Sequence, residues 1–154
     1  MKALKIWSLM IAVLFAASSC ESSDQPTPPA AGVEKIVNEW KLVEWGGADV
    51  KFTVYIDFNE DGTYEMYQQV YDLSFEKFSG AYAISGDIVS GTYTNGDMWK
   101  SDYKVSLDSE GKILTMVSQE DAPVTGVYEA TTIPEDVKVE GEANTRSLEV
   151  TPFL

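Results

Sequence analysis

Asp57, Asn59 and Asp61, followed by Gly62, place oxygen ligands at alternate positions ahead of a turn glycine, as in the first half of a calcium loop. The twelfth position of such a loop supplies a bidentate carboxylate, and here it falls on Gln68. The flanks also alternate like strands where that loop needs helices. Asn59–Gly62 therefore reads as a hairpin turn. Asp57 and Asp61 retain at most a weak surface calcium site, and no metal or other cofactor is expected. Paired carboxylates can hydrolyse glycosides, but 25 acidic residues supply such pairs by chance. The chain has no histidine, which removes Ser-His and Cys-His nucleophiles and histidine metal sites. A Gly-rich phosphate loop, a Gly-x-Ser-x-Gly elbow and a Cys-x-x-Cys pair are all missing from the sequence. No catalytic residue is assigned, and an enzyme is not expected.

The aromatic residues are more informative. Tyr64, Tyr82, Trp99, Tyr103 and Tyr128 occupy alternating positions of strand-like segments, with Met66 beside the first. Packed together, they are a plain core. Around a hollow they are walls with apolar bodies and hydroxyl tips, the lining of a small-molecule pocket. These six residues are the candidate ligand cavity. Gly80, Ala81, Ala83, Ser90, Gly91 and Ser101 are interspersed among them, which predicts room near Tyr82 and Trp99. An inward Gln68 or Ser101 would favour a polar lumen. A lumen closed by Phe52, Ile56 and Trp99 would favour a filled one.

The segments carrying these residues repeat at period two. Trp40 and Leu42 share a face of the first, with Trp45 out of phase, after a short helical turn expected over Val33–Asn38. Phe52, Val54, Ile56 and Phe58 alternate with polar residues, and Tyr64, Met66, Gln68 and Val70 do so beyond the turn. Gly80–Ile84 and Ile88–Thr94 flank Ser85-Gly86-Asp87. Asn95-Gly96 is a strong hairpin signal because both residues tolerate positive φ. Trp99–Leu107, Ile113–Ser118 and Val124–Thr132 complete about eight strands. Short loops between successive strands predict an all-β, eight-stranded up-and-down barrel, with a β-sandwich as the alternative. Gly80, Gly91 and Gly126 read as bends or bulges at barrel corners. The barrel domain spans 36–133. Residues 134–154 form an acidic, turn-rich tail in which Ser147–Thr151 could add one short strand.

The N-terminal residues carry an address. Lys2 and Lys5 precede an apolar run from Ile6 to Ala17, too short for a span of about 20 residues and right for a secretion signal. Ala17-Ser18-Ser19-Cys20 resembles the lipobox of bacterial lipoproteins, which implies cleavage after residue 19 and acylation of Cys20. Two or more acyl chains hold a protein on a membrane where one does not. Residues 20–35 read as the lipidated cysteine and a tether, with three of the six prolines within Glu21–Gly32. At about 3.1 Å per extended residue, this tether reaches roughly 35–40 Å. Glu21 and Asp24 resemble acidic surface-export signals of Bacteroidetes lipoproteins, and a merely solvated tether is the alternative. Net charge is −14 and pI about 4.2. Such a field repels phosphate backbones and excludes nucleic acid as a partner.

Asn38-Glu39-Trp40-Lys41-Leu42-Val43, Phe58–Tyr64 and Gly80–Gly86 together resemble the lipocalin-like domains of Bacteroidetes lipoproteins. Asn38 stands in the place of the glycine of a Gly-x-Trp signature. The resemblance implies an eight-stranded barrel with an internal cavity, closed at one end by Trp40. The expected protein is exported, anchored to the outer membrane and exposed at the cell surface, with a barrel that binds a small, largely apolar ligand. The rival is an envelope interaction or structural protein whose barrel is filled and whose acidic face meets a protein partner.

Replacing Cys20 with Ser should move the protein from the detergent phase to the aqueous phase on partitioning. A wild-type chain that is already aqueous, with no acyl mass added, would overturn the anchor.

Overall fold

The computed structural model describes residues 36–71, 73–144 and 150–154. Cys20, the tether, Val33–Lys35 and Ser147–Glu149 lie outside them. Nine strands run β1 (Asn38–Trp45), β2 (Ala48–Asp49), β3 (Thr53–Phe58), β4 (Thr63–Gln69), β5 (Glu76–Ser85), β6 (Ile88–Tyr93), β7 (Tyr103–Leu107), β8 (Ile113–Ser118) and β9 (Thr125–Ala130). β2 is a two-residue hook on the end of β1. The other eight pair antiparallel in chain order, and β1 pairs with β9 to close the ring. The protein is an eight-stranded up-and-down barrel; the closure rules out the sandwich.

Alternation puts one residue set inside. Trp40, Leu42, Val54, Ile56, Phe58, Tyr64, Met66, Leu114, Met116 and Tyr128 are all almost fully buried in one cluster. The hairpin turns 59–62 and 86–87, the start of β1 and the end of β9 lie at one end, called here the closed end. Trp45, Gln69, Tyr93 and Ser118 mark the opposite end, the mouth.

Three expectations need correction. Trp99–Asp102 is not strand, because β7 begins at Tyr103. The 98–102 stretch instead touches β6 through the bridge Thr92↔Met98 and is tied to the 119 turn, where the Gln119 amide donates to the Asp102 carbonyl (2.9 Å) and to Ser101 Oγ (2.9 Å). The interior glycines serve close approach more than bulging. A Cβ on Gly80 would lie 1.8 Å from the Thr92 carbonyl oxygen, and one on Gly91 would lie 2.3 Å from the Trp99 indole. The ladder's register shift is at Leu42/Glu44 instead, and it flips the phase of β1. Trp45, out of phase with Trp40 by simple counting, therefore packs on the lumen cluster.

The third correction is the tail: Glu135–Asn144 is a helix, α1. Asp136 and Glu135 suit the positive end of its dipole. Val137 and Gly141, four residues apart, face the barrel, and with Tyr55, Tyr67 and Ile133 Val137 forms a second apolar cluster on the outer face of β3 and β4. Gly141 lets the helix sit on the Tyr67 ring, because a Cβ there would be 2.6 Å from Cδ1. Of the strand expected over Ser147–Thr151, Val150 and Thr151 are described, and they are not strand.

Ion pairs fasten α1. Lys138 Nζ lies 2.6 Å from Glu39, and Lys77 bridges Glu142 and Glu65 (2.7 Å to Glu65). Burial pushes the Glu65 carboxyl up, but hydrogen bonds from Lys77 and Tyr67 outweigh it and hold it below its usual 4.5. Burial pulls Lys77 down, and its bonds to Glu142 and Glu65 leave it above the usual 10.5. Lys138 is raised by its bond to Glu39. Asp57 is raised by burial and then by Glu39.

The signs follow from linkage. Glu65 contributes stability that is present above pH 4.5 and lost as pH falls through its lowered value; Asp57 partly offsets this loss. The two lysines contribute stability that is present below 10.5 and lost as pH rises through their raised values. The melting temperature should therefore hold between these limits and fall outside them. In Lys77→Met the acid limb should be shallower. An acid limb unchanged by that substitution would show that Glu65 does not draw on Lys77.

Candidate functional site

The six candidate cavity residues converge. Tyr64, Met66, Tyr82, Trp99, Tyr103 and Tyr128 all lie in the inner cluster. Because β4, β5, β7 and β9 each present alternate side chains inward, residues 64 positions apart in sequence share one space.

In the middle of the barrel, that space is filled. Phe58 stacks edge-on against Tyr82 (4.8 Å between centroids) and Trp99 (6.5 Å), while Tyr64 meets Trp99 at 5.1 Å. Trp99 Nε1 donates to the Tyr64 hydroxyl (2.8 Å), and Trp99 contacts Tyr103 at 6.0 Å. The room that Gly91 leaves is taken by the Trp99 indole itself. Of the small residues, Ala81 and Ala83 point outward and leave no internal space.

At the closed end, Trp40 is buried and its Nε1 donates to the Ile36 carbonyl (2.8 Å). The Tyr82 hydroxyl donates to the Asn59 carbonyl (2.8 Å), tying the barrel wall to the 59–62 turn. Beside this end a half-open hollow of about 270 Å³ is lined by Ile36, Ile84, Asp87, Val105, Ser106 and Leu107. None of the six candidate residues lines it. It opens where β6 and β7 share only the pairs Ile88↔Lys104 and Val89↔Tyr103.

The mouth differs from the middle. Gln68, in phase with Tyr64 and Met66, is inward and fully buried. Its neighbours, however, come from far along the chain: Thr151, Pro152, Phe153 and Leu154 fold over the rim, and Leu154 is fully buried in the inner cluster. Phe153 packs on Trp45 (4.6 Å) and Phe52 (5.6 Å). The Tyr93 hydroxyl donates to the Leu154 carbonyl (2.6 Å). The sequence reading gave Tyr93 and Thr151 only strand positions and Phe153 and Leu154 no place; the available signal was the apolar pair Phe153-Leu154 after an acidic run.

One inward group lacks a partner. Among the described residues, the Tyr128 hydroxyl is the buried side-chain polar atom without a hydrogen bond. Its ring flanks Gly126, whose other neighbour is Trp45. Burial raises the pKa of every lumen tyrosine, Tyr103 to about 12 and Tyr64, Tyr82, Tyr93 and Tyr128 further. These phenols stay protonated near neutrality; Tyr82 and Tyr93 donate, and Tyr64 accepts from Trp99.

The calcium candidates are not brought together. Asp61 Oδ1 accepts from the Thr63 amide (2.9 Å) and hydroxyl (2.6 Å), bonds that lower its pKa within the turn. Asp57 faces Glu39 and Lys138 on the outer wall. Among the described residues no group of three or more carboxylate or thiol side chains could hold a metal ion.

Fold and lumen define a small calyx-like barrel, with a buried aromatic residue of its first strand near one end. The family model of the lipocalin-like domain matches residues 36–116. The chain belongs to the lipocalin-like domain family. Among solved structures, a lipocalin-like protein from Bacteroides uniformis is similar, with 17% sequence identity and a TM-score of 0.49 over 63% of this chain and 99% of that one. No curated protein matches the chain.

Trp40→Ala should destabilise the barrel by about 3–5 kcal/mol, through lost burial plus the cavity left behind. A loss below about 1 kcal/mol in denaturant unfolding would mean that the Trp40 indole is not what seals that end.

Proposed function

We propose that this protein is an exported lipoprotein, anchored to the outer membrane through Cys20, whose barrel binds a small, largely apolar molecule. The observation that supports binding is the Tyr128 hydroxyl. A buried hydroxyl without a partner costs on the order of 1–3 kcal/mol, and a ligand supplying one acceptor in an otherwise apolar lumen removes that cost. The aromatic walls at Trp45, Phe52 and Tyr128 suit an apolar body. The anchor rests on the sequence order of apolar run, small residues and single cysteine. The tether of 20–35 would hold the barrel clear of the bilayer and within reach of lipid-derived molecules.

A second reading has its own observation. The Phe58–Tyr64–Tyr82–Trp99 network packs the middle of the barrel, which favours a filled scaffold acting through its acidic surface on an envelope protein.

Oleate, which carries an acceptor, and cholesterol, which carries a hydroxyl, are the probes. Oleate should change tryptophan emission saturably at one per chain and raise the melting temperature. Tyr128→Phe should stabilise the free protein by about 1–3 kcal/mol yet weaken oleate binding roughly 5- to 10-fold, the worth of one hydrogen bond. If neither probe changes emission or melting temperature, the filled-scaffold reading replaces this one.

A further inference from the structure

Residues 151–154 close the mouth in a way that differs from the rest of the barrel. They form no strand and add no rung to the ladder. Two inward side chains, Gln68 and Tyr93, hold their backbone instead.

Gln68 Nε2 donates to the Thr151 carbonyl (3.1 Å), and Gln68 Oε1 accepts from the Phe153 amide (2.8 Å). One side-chain amide thus pairs with the carbonyl and amide of residues two apart, as a neighbouring strand does. The residue between them is Pro152, which has no N–H to leave unpaired. The Tyr93 hydroxyl then takes the Leu154 carbonyl (2.6 Å). Side-chain pockets complete the arrangement: Phe153 sits against Trp45 and Phe52, and Leu154 is fully buried. Polar groups that read backbone, with pockets that read side chains, are the working parts of an extended-peptide site.

We propose that the barrel mouth is a binding site for a short extended peptide of the type Thr-Pro-Phe-Leu, occupied by this chain's own residues 151–154, and that this occupancy gates the lumen. The peptide site stands on the contacts above; the gating role rests on the ligand reading of the previous section. Trp45 connects the two, because it carries Phe153 and shares Gly126 with the unpartnered Tyr128. The seated segment closes the mouth but leaves the Tyr128 hydroxyl unmet. Four residues tied by three hydrogen bonds and two side chains can leave without opening a strand pair, a local event of lower cost than global unfolding.

If the mouth is open about 1–10% of the time, the apparent affinity for an apolar ligand falls 10- to 100-fold. A chain shortened to end at Val150 should therefore bind oleate at least about 10-fold more tightly than the full chain. Acetylated Val-Thr-Pro-Phe-Leu should bind the shortened chain saturably and compete with oleate, and Gln68→Glu, which loses the amide donor, should weaken that peptide. Should the shortened chain not fold by circular dichroism, the full chain with Phe153→Ser and Leu154→Ser takes its place. In the wild type, the Phe153 amide should exchange with solvent by local opening, well before the Met116 amide.

Failure of the peptide to bind a folded, opened chain would overturn the site, as would exchange of Phe153 only with global unfolding. Equal oleate affinity of closed and opened chains would overturn the gate. Peptide binding with no oleate binding by any form would remove the ligand reading and leave the peptide site standing.

Discussion

The pairing of β1 with β9 is the contact on which the rest of the molecule depends. It joins Trp40 to Ala130 and Trp45 to Gly126, and so turns an eight-strand meander into a ring with no free edge. Once the ring closes, its inner face has a fixed and small volume that large side chains must share. The same pairing carries the shift at Leu42/Glu44: β1 serves β3 from Asn38 to Lys41 and β9 from Trp40 to Trp45. That shift directs both tryptophans of one strand inward, one toward each end.

The inner volume is then divided unequally. The middle is aromatic, with Trp99 folded over Gly91 and bonded to Tyr64. At the closed end Trp40 is buried and bonded to the Ile36 carbonyl. The mouth lacks enough strand side chains to seal it, and Phe153 and Leu154 supply what is missing. Polar groups follow the same division. Those of the middle and the closed end bond to fixed neighbours, whereas Gln68 and Tyr93 bond to a segment that can leave. The one orphaned hydroxyl, Tyr128, adjoins Trp45 near that segment.

Much of this was legible in residue order. Period-two alternation located Phe52–Phe58 and Tyr64–Val70, and turn chemistry located Asn59–Gly62 and Ser85–Asp87. The inward convergence of Tyr64, Tyr82 and Tyr128 followed from those phases. Closure was expected from the number of strands and their short loops, although nothing local records that β1 and β9 meet. The phase of Trp45 was hidden because a bulge adds a residue without changing composition. α1 was hidden because only Val137 and Gly141 face the barrel, a stripe too thin to show as period 3.6, and its stability is tertiary. Trp99 read as strand because it alternates with Ser101 and Tyr103, although its indole reaches the lumen from a loop. The role of 151–154 depends on contacts 61 and 85 residues away in sequence, beyond any local signal.

The proposed function requires that a small apolar molecule complete the lumen. Native mass spectrometry of the purified protein tests this most directly. One small apolar molecule per chain, held without a covalent bond and lost on denaturation, is the expected result. A bare chain under those conditions, which stays bare after incubation with oleate, would contradict it.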